Sequence, residues 1–226
     1  MADEKIGEIY NELLKEYGEQ VWWPVYINGN FVYSKDSKNK ELSSRQRFII
    51  SISAILTQNT SWKNVMKAIK NLDKFNFLTK EAIKQLKEEE LGILIKTSGY
   101  YKQKAKKLKN FIGFLDSKKE VNRENLLEIW GIGKETADSI LLYAYNKEVF
   151  MIDAYSIRAM ERVLGEKFNY DSLQKIFLDN LEKDYTIYNE FHALLVKHAK
   201  DICIKKEPKC LNCCLRKNCK YFTSLA

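Results

Sequence analysis

Hydrophobic positions recur at helical spacing along most of this chain. Residues 4–17 form an amphipathic pattern, and the strongly apolar stretch at 44–56 predicts a buried helix, although so short a run does not by itself exclude a strand. Further helices are predicted near residues 61–72, 79–87, 90–97, 101–116, 123–130, 134–146, 154–163, 171–182 and 186–199. The segment from about 21 to 40 lacks such a pattern. Elements of this length predict an all-α fold.

Composition agrees with a folded, helical protein. Hydrophobic residues make up 45% of the chain and aromatic residues 12%, with only two prolines and nine glycines to interrupt it. The formal net charge of +8 suits a nucleic-acid partner. A lysine-rich surface that serves only solubility is an equally good explanation of that charge.

Neither a membrane span nor a secretion signal is visible in the sequence. No apolar run approaches the roughly 20 residues that cross a bilayer, and the first ten residues lack an apolar signal core. These patterns predict a cytoplasmic protein that makes no membrane contact. Disulfides are disfavoured in that compartment, so the five cysteines need another explanation.

Four of the cysteines form a compact group near the end of the chain. Cys203, Cys210, Cys213 and Cys219 are spaced C-x6-C-x2-C-x5-C. Four thiolates so close in sequence are able to hold a structural zinc ion or an iron–sulfur cluster. The fifth thiol, Cys214, is interpreted as a bystander.

A glycine-rich turn separates two of the predicted helices. Gly131 and Gly133 let the backbone take left-handed angles and approach another molecule closely. The helix that follows would direct its free N–H groups outward as a phosphate site, with Lys134 adding a cation. A tight turn between packed helices would also explain Gly-x-Gly alone.

The longer string L-x-x-x-W-G-I-G-K-E-T-A at 126–137 is more specific. It resembles the helix–hairpin–helix motif of the endonuclease III superfamily of DNA glycosylases, and the cysteine spacing resembles the cluster loop of that family. The resemblance implies that the hairpin amides, often with a monovalent cation, hold a DNA phosphate. It also implies a [4Fe–4S] cluster on Cys203, Cys210, Cys213 and Cys219, and DNA contacts at Gly131, Gly133, Lys134 and Thr136.

The same resemblance implies a catalytic role for Asp153, which ends an apolar run after the hairpin. Asp153 is also well placed to cap the next helix, and the two roles are compatible. Breaking the bond between base and sugar builds positive charge on the deoxyribose. A desolvated carboxylate stabilises that charge and orients the attacking water, once the damaged base has left the stack.

One departure from the family pattern bears on the reaction type. Bifunctional members carry a lysine two residues after the second glycine of the hairpin, and its amine forms a Schiff base with the sugar. Here that position holds Glu135, which cannot form an imine. Lys134 lies about 100° around the helix from it. The sequence therefore predicts a monofunctional glycosylase without lyase activity.

Two segments bear on which base is removed. The sequence Leu-Thr-Gln-Asn-Thr around Gln58, together with Trp22, Trp23 and Pro24, resembles sequences of the 3-methyladenine glycosylase III branch. In that branch the Trp-Trp-Pro region helps to line the pocket and the glutamine reaches into the duplex. Aromatic faces would attract a cationic methylated purine, although paired tryptophans also serve as core anchors. The prototype of that branch lacks a cluster, so this chain combines features of two branches.

Other positions also carry assignments. Tyr100 resembles the family's wedge, which fills the gap left by the flipped base. The lysine-rich run at 102–110 is either a phosphate-binding face or an ordinary solvated helix face. His192 and His198 are interpreted as structural or phosphate-facing.

The resemblance implies two helical domains and a partner. A six-helix barrel would span 40–147, with the motif at about 123–146. Residues 1–39 and 148–226 would form a second domain carrying the cluster loop at 203–219. Double-stranded DNA with a damaged or mispaired base would bind between the two domains. The protein would act as a monomer. An endonuclease III-like enzyme for oxidised pyrimidines or mismatched thymine or uracil is the alternative, and a non-catalytic DNA-binding protein is a third interpretation.

Overall fold

The computed structural model describes residues 2–34 and 41–225, and helices predominate in both ranges. The first six are α1 (Ala2–Tyr17), α2 (Ser44–Leu56), α3 (Trp62–Lys74), α4 (Lys80–Gln85), α5 (Glu88–Leu94) and α6 (Tyr101–Asp116). They are followed by α7 (Arg123–Leu127), α8 (Lys134–Tyr145), α9 (Ala154–Leu164), α10 (Tyr170–Asn180), α11 (Tyr185–Asp201) and α12 (Lys220–Thr223). This architecture confirms the all-α prediction. None of the helices described is long and apolar enough to cross a membrane.

A short strand pair lies in the segment that the periodicity left irregular. Strands β1 (Val25–Ile27) and β2 (Asn30–Val32) pair antiparallel. They are joined at Asn28 and Gly29, whose φ angles are 47° and 80°. Two consecutive left-handed residues of this type make the tight turn that matches strand twist. The Asn-Gly dipeptide is therefore a hairpin signal in the sequence, although the segment was expected to be irregular.

The chain divides into two compact units. A central unit spans Trp23–Lys147, and a terminal unit combines Met1–Trp22 with Glu148–Ala226. The first boundary lies at Trp22, whereas the predicted domains divide at residue 39. The reason is that the strand pair belongs with the central unit, where the Tyr26 hydroxyl donates a 2.9 Å hydrogen bond to Asp73.

Helices α2 and α8 form the core of the central unit. Helix α2 begins with a capping box in which the Ser43 hydroxyl and the Gln46 side chain each satisfy the other residue's backbone N–H. Every residue from Phe48 to Leu56 is buried, so the ambiguous apolar run is a helix enclosed on all sides. It packs against α8, whose residues from Thr136 to Ala144 are also buried.

A lysine lies inside this core. Lys104 on α6 is 1% exposed, and its ammonium group donates to the carbonyl oxygens of Leu56 at 2.9 Å and Ser98 at 2.6 Å. Burial, with a smaller effect from the charge of Lys107, lowers the pKa of Lys104 to about 8. The amine thereby joins the end of α2 to the turn before α6 and satisfies two carbonyl groups that helix geometry leaves open.

In the terminal unit α11 packs against α9 and α1. Phe150 stacks on Phe177 with ring centroids 3.9 Å apart, and both side chains are fully buried. The Tyr17 hydroxyl lies 2.8 Å from Nδ1 of His198, which joins the end of α1 to α11. The core of this unit is thus built from both ends of the chain.

Replacing Lys104 with alanine should lower the free energy of unfolding by about 2–4 kcal/mol, because it leaves a cavity and two unsatisfied buried carbonyls. Urea denaturation would measure the change. Lys102→Ala is the matched control, since Lys102 lies exposed on the same helix. Its effect should stay within about 0.5 kcal/mol. Equal shifts for the two variants would contradict the role assigned to the buried amine.

Candidate functional site

The glycine turn lies between α7 and α8, as predicted. Gly131 has a φ of +88°, a left-handed angle that favours glycine. Gly133, by contrast, is the N-cap of α8 with φ −96° and ψ −179°, which is extended backbone. Only Gly131 therefore uses the left-handed angles that both glycines permit. A Cβ atom at Gly133 would meet nothing within 4 Å, so its bare backbone faces open space.

An ion pair with a buried carboxylate fixes the two helices that flank the turn. Arg123 at the start of α7 donates from Nε and Nη2 to the two carboxylate oxygens of Asp138 on α8, at 2.7 and 3.1 Å. The Asp138 side chain is 0% exposed. Two parallel hydrogen bonds set both distance and angle, so the pair holds α7 and α8 in one orientation.

The Gln58 side chain, which follows α2, is hydrogen-bonded to the glycine turn. Its amide nitrogen donates to the carbonyl oxygen of Gly131 at 3.0 Å and to the Thr136 hydroxyl at 2.9 Å. Its amide oxygen accepts from the ammonium group of Lys107. The carbon stem of Lys107 runs against Gly131, where a Cβ atom would lie 2.5 Å from Lys107 Cγ. Gln58 and Lys107 together support the turn from within.

The predicted DNA-contacting side chains of α8 divide into two classes. Lys134 and Glu135 are exposed in the first turn of the helix. Thr136 is buried, and its hydroxyl oxygen accepts the Gln58 hydrogen bond, so its side chain is engaged inside the protein. The N-cap residue Gly133 has no side chain with which to cap this helix.

The lysine-rich run at 102–110 is not a uniform solvated face. Lys102 and Lys106 are exposed, whereas Lys104 is buried and Lys107 is half-buried. Lys109 donates to the carbonyl oxygens of Ile83, Lys84 and Leu86 at the end of α4. Most of these lysines therefore serve internal contacts.

Tyr100 combines exposure with an unfavourable backbone. Its residue surface is 68% exposed, and its φ of 45° places it in the left-handed region directly before α6. A tyrosine in that region is strained, and such strain is most common at functional positions. The structure thus presents a bulky ring to solvent at the predicted wedge.

The two tryptophans of the Trp-Trp-Pro segment lie in different units. Trp23 packs edge-on against Trp62 and at a tilt against Tyr143, with both centroid distances 5.1 Å. Pro24 is buried, and Trp22 is half-buried in the terminal unit. The contacts of Trp23 are those of a ring in an aromatic cluster.

Asp153 caps α9 and is largely buried. Its Oδ1 atom accepts from the backbone N–H groups of Tyr155 at 2.9 Å and Ser156 at 2.8 Å, and from the Ser156 hydroxyl at 3.0 Å. Its side chain is 13% exposed. The predicted N-cap role is therefore observed, and it engages only one of the two carboxylate oxygens.

The second oxygen lies beside a histidine. Oδ2 of Asp153 is 3.5 Å from Nε2 of His192 on α11. Burial acts to raise the pKa of Asp153, but His192 and the hydrogen bonds from Ser156 outweigh it and hold this pKa below its ordinary value. The carboxylate is thus ionised at neutral pH. The stability it contributes is complete above the ordinary carboxyl pKa and is lost as pH falls through the lowered one.

The four predicted cluster cysteines line one cavity, together with His198 and Arg162. Arg162 Nη1 lies 3.3 Å from the sulfur of Cys203, and His198 Nε2 lies 3.6 Å from that of Cys213. Burial raises the pKa of the Cys213 thiol to about 12. In the described ranges no three His, Cys, Asp or Glu side chains are grouped closely enough for a single metal ion. Cys214 lies away from this cavity and lines a groove beside α1.

Several functional neighbours were not identified from the sequence. His192 is far along the chain from Asp153, and no spacing rule joins an N-cap to a residue on a later helix. In the sequence alone, nothing distinguishes Lys104, Lys107 and Asp138 from ordinary charged residues of the surface. Only the apolar positions around them indicated that those stretches were buried.

The chain matches the model of the HhH-GPD superfamily of base excision DNA repair proteins over residues 52–183. It is 41% identical over 231 aligned positions to a protein of Methanocaldococcus jannaschii named as a candidate DNA repair glycosylase, covering 96% of each chain.

Two solved structures share the fold. The structure of an endonuclease III–DNA complex is similar with a TM-score of 0.79 at 17% identity, covering 100% of this chain and 98% of that one. The H. pylori 3-methyladenine DNA glycosylase bound to 1,N6-ethenoadenine is similar with a TM-score of 0.69 at 28% identity, covering 88% and 97%.

Gly131→Ala should destabilise the protein, because alanine disfavours the left-handed backbone angle at this position. The added methyl group would also press against the carbon stem of Lys107 and disturb the turn. The left-handed angle alone costs about 1–2 kcal/mol. Thermal unfolding would measure this loss. Gly113→Ala, at an exposed position inside α6 with open space around it, is the control and should be neutral or slightly stabilising. Unchanged stability of Gly131→Ala would contradict the packing described.

Proposed function

Since the chain belongs to the HhH-GPD superfamily of base excision DNA repair proteins, we propose that it is a monofunctional DNA glycosylase in which Asp153 drives base removal. The family predicted from the hairpin is confirmed, and with it the assignment as a DNA glycosylase of base excision repair. The observation that carries the proposal is the Asp153 carboxylate, which is buried and ionised and commits only Oδ1 to the helix cap.

The chemistry assigned to Asp153 follows from that geometry. As the bond between base and sugar breaks, positive charge develops on the deoxyribose, and a carboxylate held in a poorly solvated place lowers the energy of that state. Oδ2 keeps lone pairs that can orient the attacking water. The three hydrogen bonds at Oδ1 prevent the group from rotating away.

The DNA contacts are assigned to the central unit. The first turn of α8, with Gly133 and Lys134, suits a backbone phosphate, because helix N-termini favour anions. A monovalent cation at the turn would add to this attraction. Tyr100 is assigned as the wedge that fills the gap left by the flipped base. Double-stranded DNA with a damaged or mispaired base is the partner, bound by a monomer. The cytoplasmic location stays a prediction.

The favoured substrate is an alkylated purine such as 3-methyladenine. Support comes from the Trp22-Trp23-Pro24 segment and from the 28% identity to the H. pylori 3-methyladenine DNA glycosylase. The cysteine set favours the second candidate, an endonuclease III-like enzyme for oxidised pyrimidines or mismatched thymine or uracil. A non-catalytic DNA-binding protein would have no need of the ionised Asp153.

A [4Fe–4S] cluster is assigned to Cys203, Cys210, Cys213 and Cys219. The donors fit this group, because four thiols line one cavity and the cationic Arg162 lies beside Cys203, where it would offset part of the negative charge of a bound cluster. When bound, the cluster cross-links the loop through four iron–sulfur bonds. Arg162 also donates to the carbonyl oxygens of Ile204 and Lys205, so the loop backbone is ordered around the site.

Asp153→Asn should reduce base release about 100-fold or more while the protein stays folded, because asparagine caps helices as well as aspartate does but carries no charge. Single-turnover release would be measured on duplexes carrying methylated purines, thymine glycol, uracil or thymine opposite guanine, and 8-oxoguanine. Asp184→Asn, at the N-cap of α11, is the matched control. Base release at the wild-type rate by Asp153→Asn would overturn the catalytic role of Asp153. If the wild-type protein released no base from any of these duplexes, the assignment as a glycosylase would be overturned.

Borohydride should trap no covalent adduct between the wild-type protein and its substrate DNA, because Glu135 occupies the position of the lyase lysine. Glu135→Lys should produce a trapped adduct, because it restores a lysine at the position of the family's lyase residue. Gel electrophoresis after reduction separates these outcomes. A wild-type adduct would disprove the monofunctional prediction.

Cys210→Ser should lose iron, whereas Cys214→Ser should keep it, since only Cys210 lines the shared cavity. Wild-type protein should contain about four iron atoms per chain and absorb broadly near about 400 nm. Elemental analysis and absorbance would check both variants. Zinc in place of iron, or equal loss in the two variants, would contradict the cluster assignment.

A further inference from the structure

The two oxygens of the Asp153 carboxylate have different surroundings. Oδ1 is engaged by the N-terminal turn of α9, where it accepts three hydrogen bonds from Tyr155 and Ser156. Oδ2 takes no part in that cap and lies 3.5 Å from Nε2 of His192. The oxygen left for chemistry is therefore the one that contacts another helix.

His192 is held firmly enough to define a position for that oxygen. It lies on α11, is 4% exposed, and its helix packs extensively against α9. Tyr188, one turn earlier on α11, and Phe191 are also buried. An imidazole in such surroundings cannot follow a moving carboxylate, so it restricts the rotation of Asp153.

We propose that His192 is a positioning residue that fixes Oδ2 of Asp153 toward the reacting sugar; this inference rests on the proposed role of Asp153. A ring N–H directed at Oδ2 takes up one lone pair and leaves the other for water or the developing sugar cation. It also favours the ionised carboxylate, in agreement with the lowered pKa of Asp153.

The test compares two amide replacements of different reach. In His192→Gln the side-chain amide nitrogen reaches about as far as Nε2 of the ring, whereas in His192→Asn it is too short to reach Oδ2. Single-turnover release of 3-methyladenine is measured on duplex DNA treated with dimethyl sulfate. Affinity is measured on a duplex with a tetrahydrofuran abasic analogue. Tyr188→Phe is the control, as a buried polar change on the same helix.

We expect His192→Asn to slow release about 10- to 100-fold, since small displacements of a reacting group have effects of this size. His192→Gln should stay within about threefold of wild type, and DNA affinity should not change in either variant. In an Asp153→Asn background the two replacements should have equal rates, because the positioned oxygen is then absent. Tyr188→Phe should behave as wild type.

Two outcomes separate failure of this inference from failure of the proposed function. Equal rates for His192→Asn and His192→Gln, with Asp153→Asn inactive, would overturn the positioning role alone. A wild-type rate for Asp153→Asn would overturn the proposed function first. Parallel losses of rate and DNA affinity in His192→Asn would show a general structural effect and would also overturn the inference.

Discussion

A charged group inside a protein is tolerable only where its partners are already fixed, and three such groups organise this molecule. Lys104 is held by two carbonyl oxygens, Asp138 by both nitrogens of one guanidinium edge, and Asp153 by the first turn of α9. Lys104 and Asp138 are satisfied by residues 48 and 15 positions away, and the second oxygen of Asp153 lies beside His192 on α11. The buried charges therefore specify which segments meet, in addition to any stability that they contribute.

Each of these contacts ends next to a segment with a proposed role. Lys104 joins the helix before Gln58 to the turn before Tyr100. Asp138 holds the two helices around Gly131, and Asp153 is itself the proposed catalytic group. Loops that bind DNA have little core of their own, so their geometry has to be set from beneath. The buried polar contacts supply that support.

The helices were largely predictable, because a 3.6-residue repeat and capping residues are local signals. The predicted helix at 101–116 has the observed bounds, and the start of the helix after Gly133 was also located correctly. The lysine run was misleading, since an alternation of buried and exposed lysines looks like a solvated face. The pairing of Asp153 with His192 was beyond any local pattern, because it depends on how α9 and α11 pack.

The division into units also bears on the order in which parts of the chain fold during synthesis. Every residue of the central unit has been made once Lys147 leaves the ribosome, so this unit can fold on the nascent chain. Helix α1 has to wait, because its contacts lie on α10 and α11, and Tyr17 meets His198 across 181 positions of sequence. Until then the apolar face of α1, with Ile6, Ile9 and Leu13, has no core to enter. Among the helices described, α1 is made before the others but completes its packing late, and its apolar face stays uncovered while the central unit is synthesised.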